Sequence, residues 1–159
     1  VTTSRSPSGV SILGNNAAAP AAGTDAYNVF NGYVDLASGT DNCMQITGSS
    51  SGAYTYTFSG LDTGDDLTYN FTGTAIRGNS GYPNRWTLVT LEGADHFTAA
   101  HSSGVGVVTY LTNPNLLPNQ VAIWTGDNSQ STQGFVAAWA DIDPGPDGIF
   151  SVKSEQYKV

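Results

Sequence analysis

Apolar and polar residues alternate along much of this chain. From 53 to 59, Tyr54, Tyr56 and Phe58 fall on one face of an extended segment, while Thr55 and Thr57 fall on the other. That period of two is the pattern of a strand with one buried side. A turn-rich stretch from Gly60 to Asp66 follows, and 67–75 alternates again. The two segments read as an antiparallel ribbon with one aromatic, buried face. Similar short runs at 27–36, 43–47, 85–91, 106–111, 120–125, 135–142 and 149–155 bring the total to about nine or ten strands. Helix signals are almost absent. The alanine-rich stretch 17–22 is interrupted by Pro20 and followed by Gly23, which favours a loop or a single turn. The pattern predicts one all-β domain over 1–159, an antiparallel β-sandwich of jelly-roll type, with 1–10 as a loosely ordered lead-in.

Composition narrows the partners. The chain has 159 residues, enough to bury a real core. Only 11% of them are charged, and five basic residues face thirteen acidic ones for a net charge of −8. Nucleic-acid and anionic-membrane binding depend on clustered Lys and Arg, so this balance argues against both. No apolar run approaches the ~18 residues of a membrane-spanning helix. The one cysteine, Cys43, excludes an internal disulfide. A Thr-, Ser-, Gly- and Asn-rich, Lys-poor, acidic chain reads as a secreted, extracellular bacterial domain, and its start at Val1 as a mature or excised fragment. Asn70, Phe71 and Thr72 match a glycosylation sequon, a pattern common by chance.

Two regions carry candidate recognition chemistry. The first is the Gly-rich connection around Arg77, Tyr82, Asn84 and Arg85, which opens into Trp86. Planar rings stack on the apolar face of a pyranose, while Arg and Asn donate to its hydroxyls. Tyr82, at the tip, is expected to be exposed; Trp86 is expected to open a core strand with Leu88. The second region is Trp124 with Asp127 and Asn128. Val121 and Ile123 take one face of their strand and Trp124 the other, which turns Trp124 outward if the aliphatic pair points in. Trp139 shares parity with Phe135 and Ala137 and is expected in the core. Catalytic patterns are weak: His96 and His101 are five residues apart, and nothing pairs two carboxylates for glycoside hydrolysis.

The third feature is an acidic turn. Asp141 and Asp143 share strand parity, and Asp147 follows across Pro144, Gly145 and Pro146, with Gly148 next. Three oxygen-donor side chains within seven residues suit a hard cation, so a structural Ca²⁺ held by Asp141, Asp143 and Asp147 is one reading. The other is plain turn chemistry, in which Asp and Pro-Gly shape the backbone.

The segments 56–62, 85–88 and 139–148 together resemble accessory modules of bacterial secreted multidomain proteins. These are galactose-binding-like jelly rolls that include many carbohydrate-binding modules, and the resemblance spans roughly 26–156. It implies a β-sandwich, often with structural calcium, and a sugar ligand met by loops or a concave sheet face. The expectation is therefore a non-catalytic module, a monomer within a larger chain, attached to a polysaccharide-active enzyme. It would bind a polysaccharide or oligosaccharide through Tyr82, Trp124, Arg77, Asn84, Arg85, Asp127 and Asn128. The competing expectations are a ligand-free structural or adhesive spacer and, behind it, a small hydrolase using His96 or His101.

Overall fold

A computed structural model describes residues 2–8, 10–12, 20–33, 44–46, 52–64, 67–75, 84–125 and 133–158. In chain order the elements are β1 (Thr2–Ser8), β2 (Val10–Ile12), α1 (Asp25–Phe30), β3 (Met44–Ile46), β4 (Ala53–Ser59), β5 (Tyr69–Gly73), β6 (Trp86–Glu92), β7 (His96–Ala99), β8 (Val107–Thr109), β9 (Gln120–Trp124), β10 (Ala137–Asp143) and β11 (Phe150–Tyr157). A six-stranded sheet runs β1-β4-β11-β6-β9-β8 and a three-stranded sheet runs β5-β10-β7, with β2 and β3 paired separately. Every pairing is antiparallel. This is the expected all-β sandwich. The described strands of its two main sheets divide six to three, and the expectation is met at the level of the sandwich.

Side chains from both sheets build the core. Val89, Leu91, Val121, Ile123, Phe150 and Val152 come from the larger sheet, and Ala137, Trp139 and Ile142 from β10 of the smaller one. Trp139 is 1% exposed, as its parity predicts. Phe58 of β4 and Tyr69 and Phe71 of β5 pack, half-buried, against the core, but the two strands do not pair. β4 lies between β1 and β11, whereas β5 lies beside β10. The connection is an arch between sheets rather than a hairpin, and Phe58 meets Phe71 edge-on across the interior at 6.0 Å. Alternation specifies which face goes inward; it does not specify the neighbour. The acidic turn is likewise an arch, since it joins β10 of one sheet to β11 of the other rather than closing a strand pair. These arches touch: Leu61 N–H donates to Gly148 O at 3.2 Å, and a Cβ on Gly148 would lie 2.5 Å from Leu61 O. The β6–β7 connection joins them, with Asp95 N–H donating to Asp143 O at 2.9 Å.

One further expectation is corrected. The segment predicted as a strand over 27–36 overlaps the short helix α1 at 27–30. Thr24 caps it: its hydroxyl accepts from Tyr27 N–H at 3.3 Å and donates to Ala21 O at 2.8 Å. Ala26, wholly buried, packs with Val136 and Ala138 on the outer side of β10, and its N–H donates to Gly134 O at 2.7 Å. That contact explains Gly134, whose φ is +51 and where a Cβ would strike the Thr24 hydroxyl at 2.2 Å. Thr2–Ser8 is paired with β4 along its whole length. It tolerates Pro7 because it is an edge strand, where a missing N–H costs no inner ladder bond.

The connection from β8 to β9 folds back over the outer face of the larger sheet. Leu116 from this flap is buried against Leu88 and Ala122. The flap's far end is tied by Asn119, whose Nδ2 donates to Leu91 O at 2.7 Å.

Candidate functional site

Strand register places three aromatic residues in one row. Tyr157 of β11 is opposite Trp86 of β6, and Trp86 is opposite Trp124 of β9. Their neighbours on β6 and β9, Val89, Leu91, Val121 and Ile123, have the opposite parity and fill the core. The row therefore stands on the outward face of the larger sheet. Trp124 points outward as its alternation predicts. Trp86 does open a strand and shares a face with Leu88, but that face is turned away from the sandwich interior. The two indoles stack at 6.3 Å between centroids with 22° between planes. All three aromatic side chains are half-buried.

The flap adjoins the row: Trp86 and Tyr157 pack against the cluster of Leu88, Leu116 and Ala122, and Asn113 Nδ2 donates to the Tyr157 hydroxyl at 3.0 Å. At the end of the sheet, Asn84 and Arg85 are exposed, and Thr125 N–H donates to Arg85 O at 2.8 Å, which joins the chain leaving Trp124 to the chain entering Trp86. Of the residues expected to bind sugar, Asn84, Arg85 and Trp124 are thus gathered at one place. Arg77, Tyr82, Asp127 and Asn128 lie outside the described residues. Trp86 and Tyr157 join the site without having been expected there. For Tyr157 the signal existed: Lys153, Glu155 and Tyr157 alternate on one side of β11, and the sequence reading ended that strand two residues early.

The acidic turn is shaped by its own carboxylates. Asp143 Oδ1 accepts from Gly145 N–H at 2.9 Å, and Asp147 Oδ1 accepts from Ile149 N–H at 3.1 Å. Both are Asx turns. Asp141 is different. It occupies a bulge, where β10 holds one residue more than β5 between the pairs Trp139–Phe71 and Ile142–Tyr69. Its φ is +52, uniquely positive among the described non-glycine residues, and its N–H donates to Asn70 Oδ1 at 3.2 Å. Among the described residues no three His, Cys, Asp or Glu side chains converge on a site that could hold a metal ion. Asp143 and Asp147 thus each cap an amide of their own turn.

His96, His101 and Ser102 also have defined places. Beyond β7 the chain continues alongside β10: Ala100 N–H donates to Ala138 O at 2.9 Å and Ser102 N–H to Val136 O at 3.1 Å. Two side chains complete this ladder. His101 Nδ1 accepts from Ala138 N–H at 3.0 Å, and Ser102 Oγ accepts from Val136 N–H at 2.9 Å. Ser102 then donates to Asp25 Oδ2 at 2.5 Å. Burial pushes the His101 pKa down to about 4, consistent with a neutral ring that accepts at Nδ1. The Ser102 hydroxyl is committed to Asp25 and Val136, with no bond to His101 as a general base. His96 is exposed on edge strand β7.

No protein-family model, curated protein or solved structure matches this chain.

Proposed function

We propose that this domain is a non-catalytic carbohydrate-binding module of an extracellular bacterial protein, and that it holds a polysaccharide against the row formed by Tyr157, Trp86 and Trp124. The observation that carries the reading is the stacked, partly exposed Trp86–Trp124 pair on the outward sheet face, beside the exposed Asn84 and Arg85. Aromatic surface combined with a few hydrogen-bonding groups is the chemistry a pyranose requires. A structural calcium ion at Asp141, Asp143 and Asp147 is independent of this recognition surface, because the acidic arch adjoins the far end of β6 through the Asp95–Asp143 bond.

A specific observation favours a second reading. Leu116 and Asn113 of the flap engage the same row, as they would if it were a second small core of a ligand-free structural or adhesive spacer. Affinity electrophoresis and pull-down over soluble and insoluble polysaccharides separate the two. Binding that disappears in a folded Trp124→Ala variant supports the module. Absence of binding to every polysaccharide sinks it in favour of the spacer.

A further inference from the structure

The turn that ends α1 carries reactive backbone chemistry. Asn31 is followed by Gly32, the one Asn-Gly pair in the chain. The side-chain carbonyl carbon of an asparagine is an electrophile within reach of the next residue's amide nitrogen. In most settings that attack is blocked by a bulky following side chain, by burial, or by hydrogen bonds that fix the amide. Glycine removes the first obstacle, because it has no side chain and turns freely.

The fold removes the other two. Asn31, Gly32 and Tyr33 are all exposed. Gly32 has φ +84, and beyond its chain neighbours no heavy atom lies within 4 Å of where a Cβ would stand. Asn31 N–H donates to Tyr27 O at 2.9 Å and Tyr33 N–H to Phe30 O at 3.0 Å, whereas the Gly32 N–H between them has no acceptor among the described residues. Asn31 leaves the helix extended, with ψ 126, so its backbone must turn before the nitrogen meets Cγ. The bond that resists this turning is the single one from Tyr33 to Phe30.

The one Asp-Gly pair, Asp147 and Gly148, closes the same kind of ring with loss of water. There the fold withholds both partners. Gly148 N–H donates to Gly145 O at 3.1 Å, and Asp147 Oδ1 accepts from Ile149 N–H at 3.1 Å. Gly148 also sits so close to Leu61 that a Cβ would lie 2.5 Å from its carbonyl oxygen.

We infer that Asn31 is a site of spontaneous covalent modification in the folded protein, passing through a succinimide to aspartate and isoaspartate, and that Asp147 is protected from it. Gly32 N gives up its proton to solvent base and bonds to Asn31 Cγ; the Cγ–Nδ2 bond breaks and ammonia leaves. Water then opens the ring. Cleavage at Cγ restores the ordinary main chain with a carboxylate at position 31. Cleavage at the main-chain carbonyl leaves the chain running through Cγ, one methylene longer where it exits α1. Either product adds one negative charge. This chemistry is independent of the carbohydrate reading.

The test incubates the full chain in mildly alkaline buffer, folded and, in parallel, unfolded in guanidinium chloride. Isoelectric focusing, peptide mass mapping and isoaspartate-specific methyl labelling follow the products. The folded protein is expected to yield an acidic band about 1 Da heavier that maps to position 31. Its rate should fall within about tenfold of the unfolded chain, since one turn hydrogen bond opposes the reaction. Denaturant below the unfolding midpoint should leave that rate unchanged, because the opening is local. Isoaspartate at position 147 should form only in the unfolded chain, and Asn31→Gln should remove the early acidic band. Protection of Asn31 well beyond tenfold, or a rate that climbs with denaturant, would overturn the inference by routing the reaction through global unfolding. An acidic band that persists in Asn31→Gln would place the reactive residue elsewhere. Equal conversion at 147 in the folded protein would overturn the selectivity assigned to the two turns.

Discussion

His101 and Ala138 are joined by a bond that neither strand could make with its backbone alone: the ring Nδ1 of His101 accepts the Ala138 amide at 3.0 Å. The same ring stands perpendicular to Trp139, with centroids 4.8 Å apart. A side chain has taken the place of a ladder carbonyl beside the largest buried residue of the core. This acceptor is lost on protonation, which gives the fold a dependence on pH.

Burial holds the folded His101 pKa near 4, against 6.5 for the free side chain. As pH falls from about 6.5, the unfolded chain takes up a proton that the folded one refuses. Stability is therefore whole above pH 6.5 and declines towards pH 4. The loss is expected to be on the order of 1–2 kcal/mol, allowing for partial solvation of the ring. Urea midpoints at pH 7.0 and pH 5.0, where most carboxylates are still ionised, should differ in the native chain. His101→Asn keeps an acceptor that does not titrate and should flatten the difference. Equal slopes in both proteins would remove His101 from the account.

Gly106 faces the ring of Phe135 so closely that a Cβ would lie 2.0 Å from Cε2. Its carbonyl accepts from Trp124 N–H at 2.8 Å, so the backbone has no room to retreat. Gly106→Ala should cost about 2–3 kcal/mol through overpacking, seen as a fall of roughly 5–10 °C in the melting midpoint. Pairing it with Phe135→Leu should recover part of that loss, because the two sites share one contact. Strictly additive losses would show that the ring is not the obstacle.

At Asp141 the backbone and the carboxylate make separable demands. The left-handed φ of +52 suits Gly or Asn as well as Asp, and opposes a β-branched residue. Asp141→Asn and Asp141→Gly are expected within about 0.5 kcal/mol of the native chain, and Asp141→Val to lose about 1–2 kcal/mol. Chemical denaturation of the three variants is sufficient. A large loss in Asp141→Asn would show that the negative charge itself matters.

Because the acidic arch is closed by its own Asx turns, removal of divalent metal should leave the fold unchanged. Melting midpoints in EDTA and in millimolar Ca²⁺ are expected to agree. A cation bound only to the folded state would raise the midpoint with its concentration, and such a rise would return Asp141, Asp143 and Asp147 to a ligand role.

How much of this was legible in the sequence depended on the range of the interaction. The inward faces of β4, β5, β9 and β10 could be read from residues such as Phe58, Phe71, Ile123 and Trp139, because period-two alternation is local. Their neighbours could not. Phe58 meets Phe71 across the interior rather than along a ribbon, a matter of three-dimensional closure that alternation leaves open. The helix at Asp25–Phe30 was hidden because six residues are too few to show helical periodicity; its stability comes from the Thr24 cap and the seat of Ala26 on Gly134. At the candidate site, the outward turn of Trp124 followed from its buried neighbours. Its companions Trp86 and Tyr157 come from strands whose relative register is set elsewhere in the sheet.

The position of β11 has a consequence for how the chain comes to be folded. This strand pairs with β4, almost a hundred residues earlier, and with β6, and it separates the two within the larger sheet. Until β11 has been made, β4 and β6 each present an open edge with nothing to fill the gap between them. Pairing across such sequence distances is slow, and exposed edges in the meantime favour association with other chains. Folding is then expected to be a late, largely all-or-none event that waits on the C-terminal strand, so a chain stopped before Phe150 should accumulate as aggregate instead of a smaller domain.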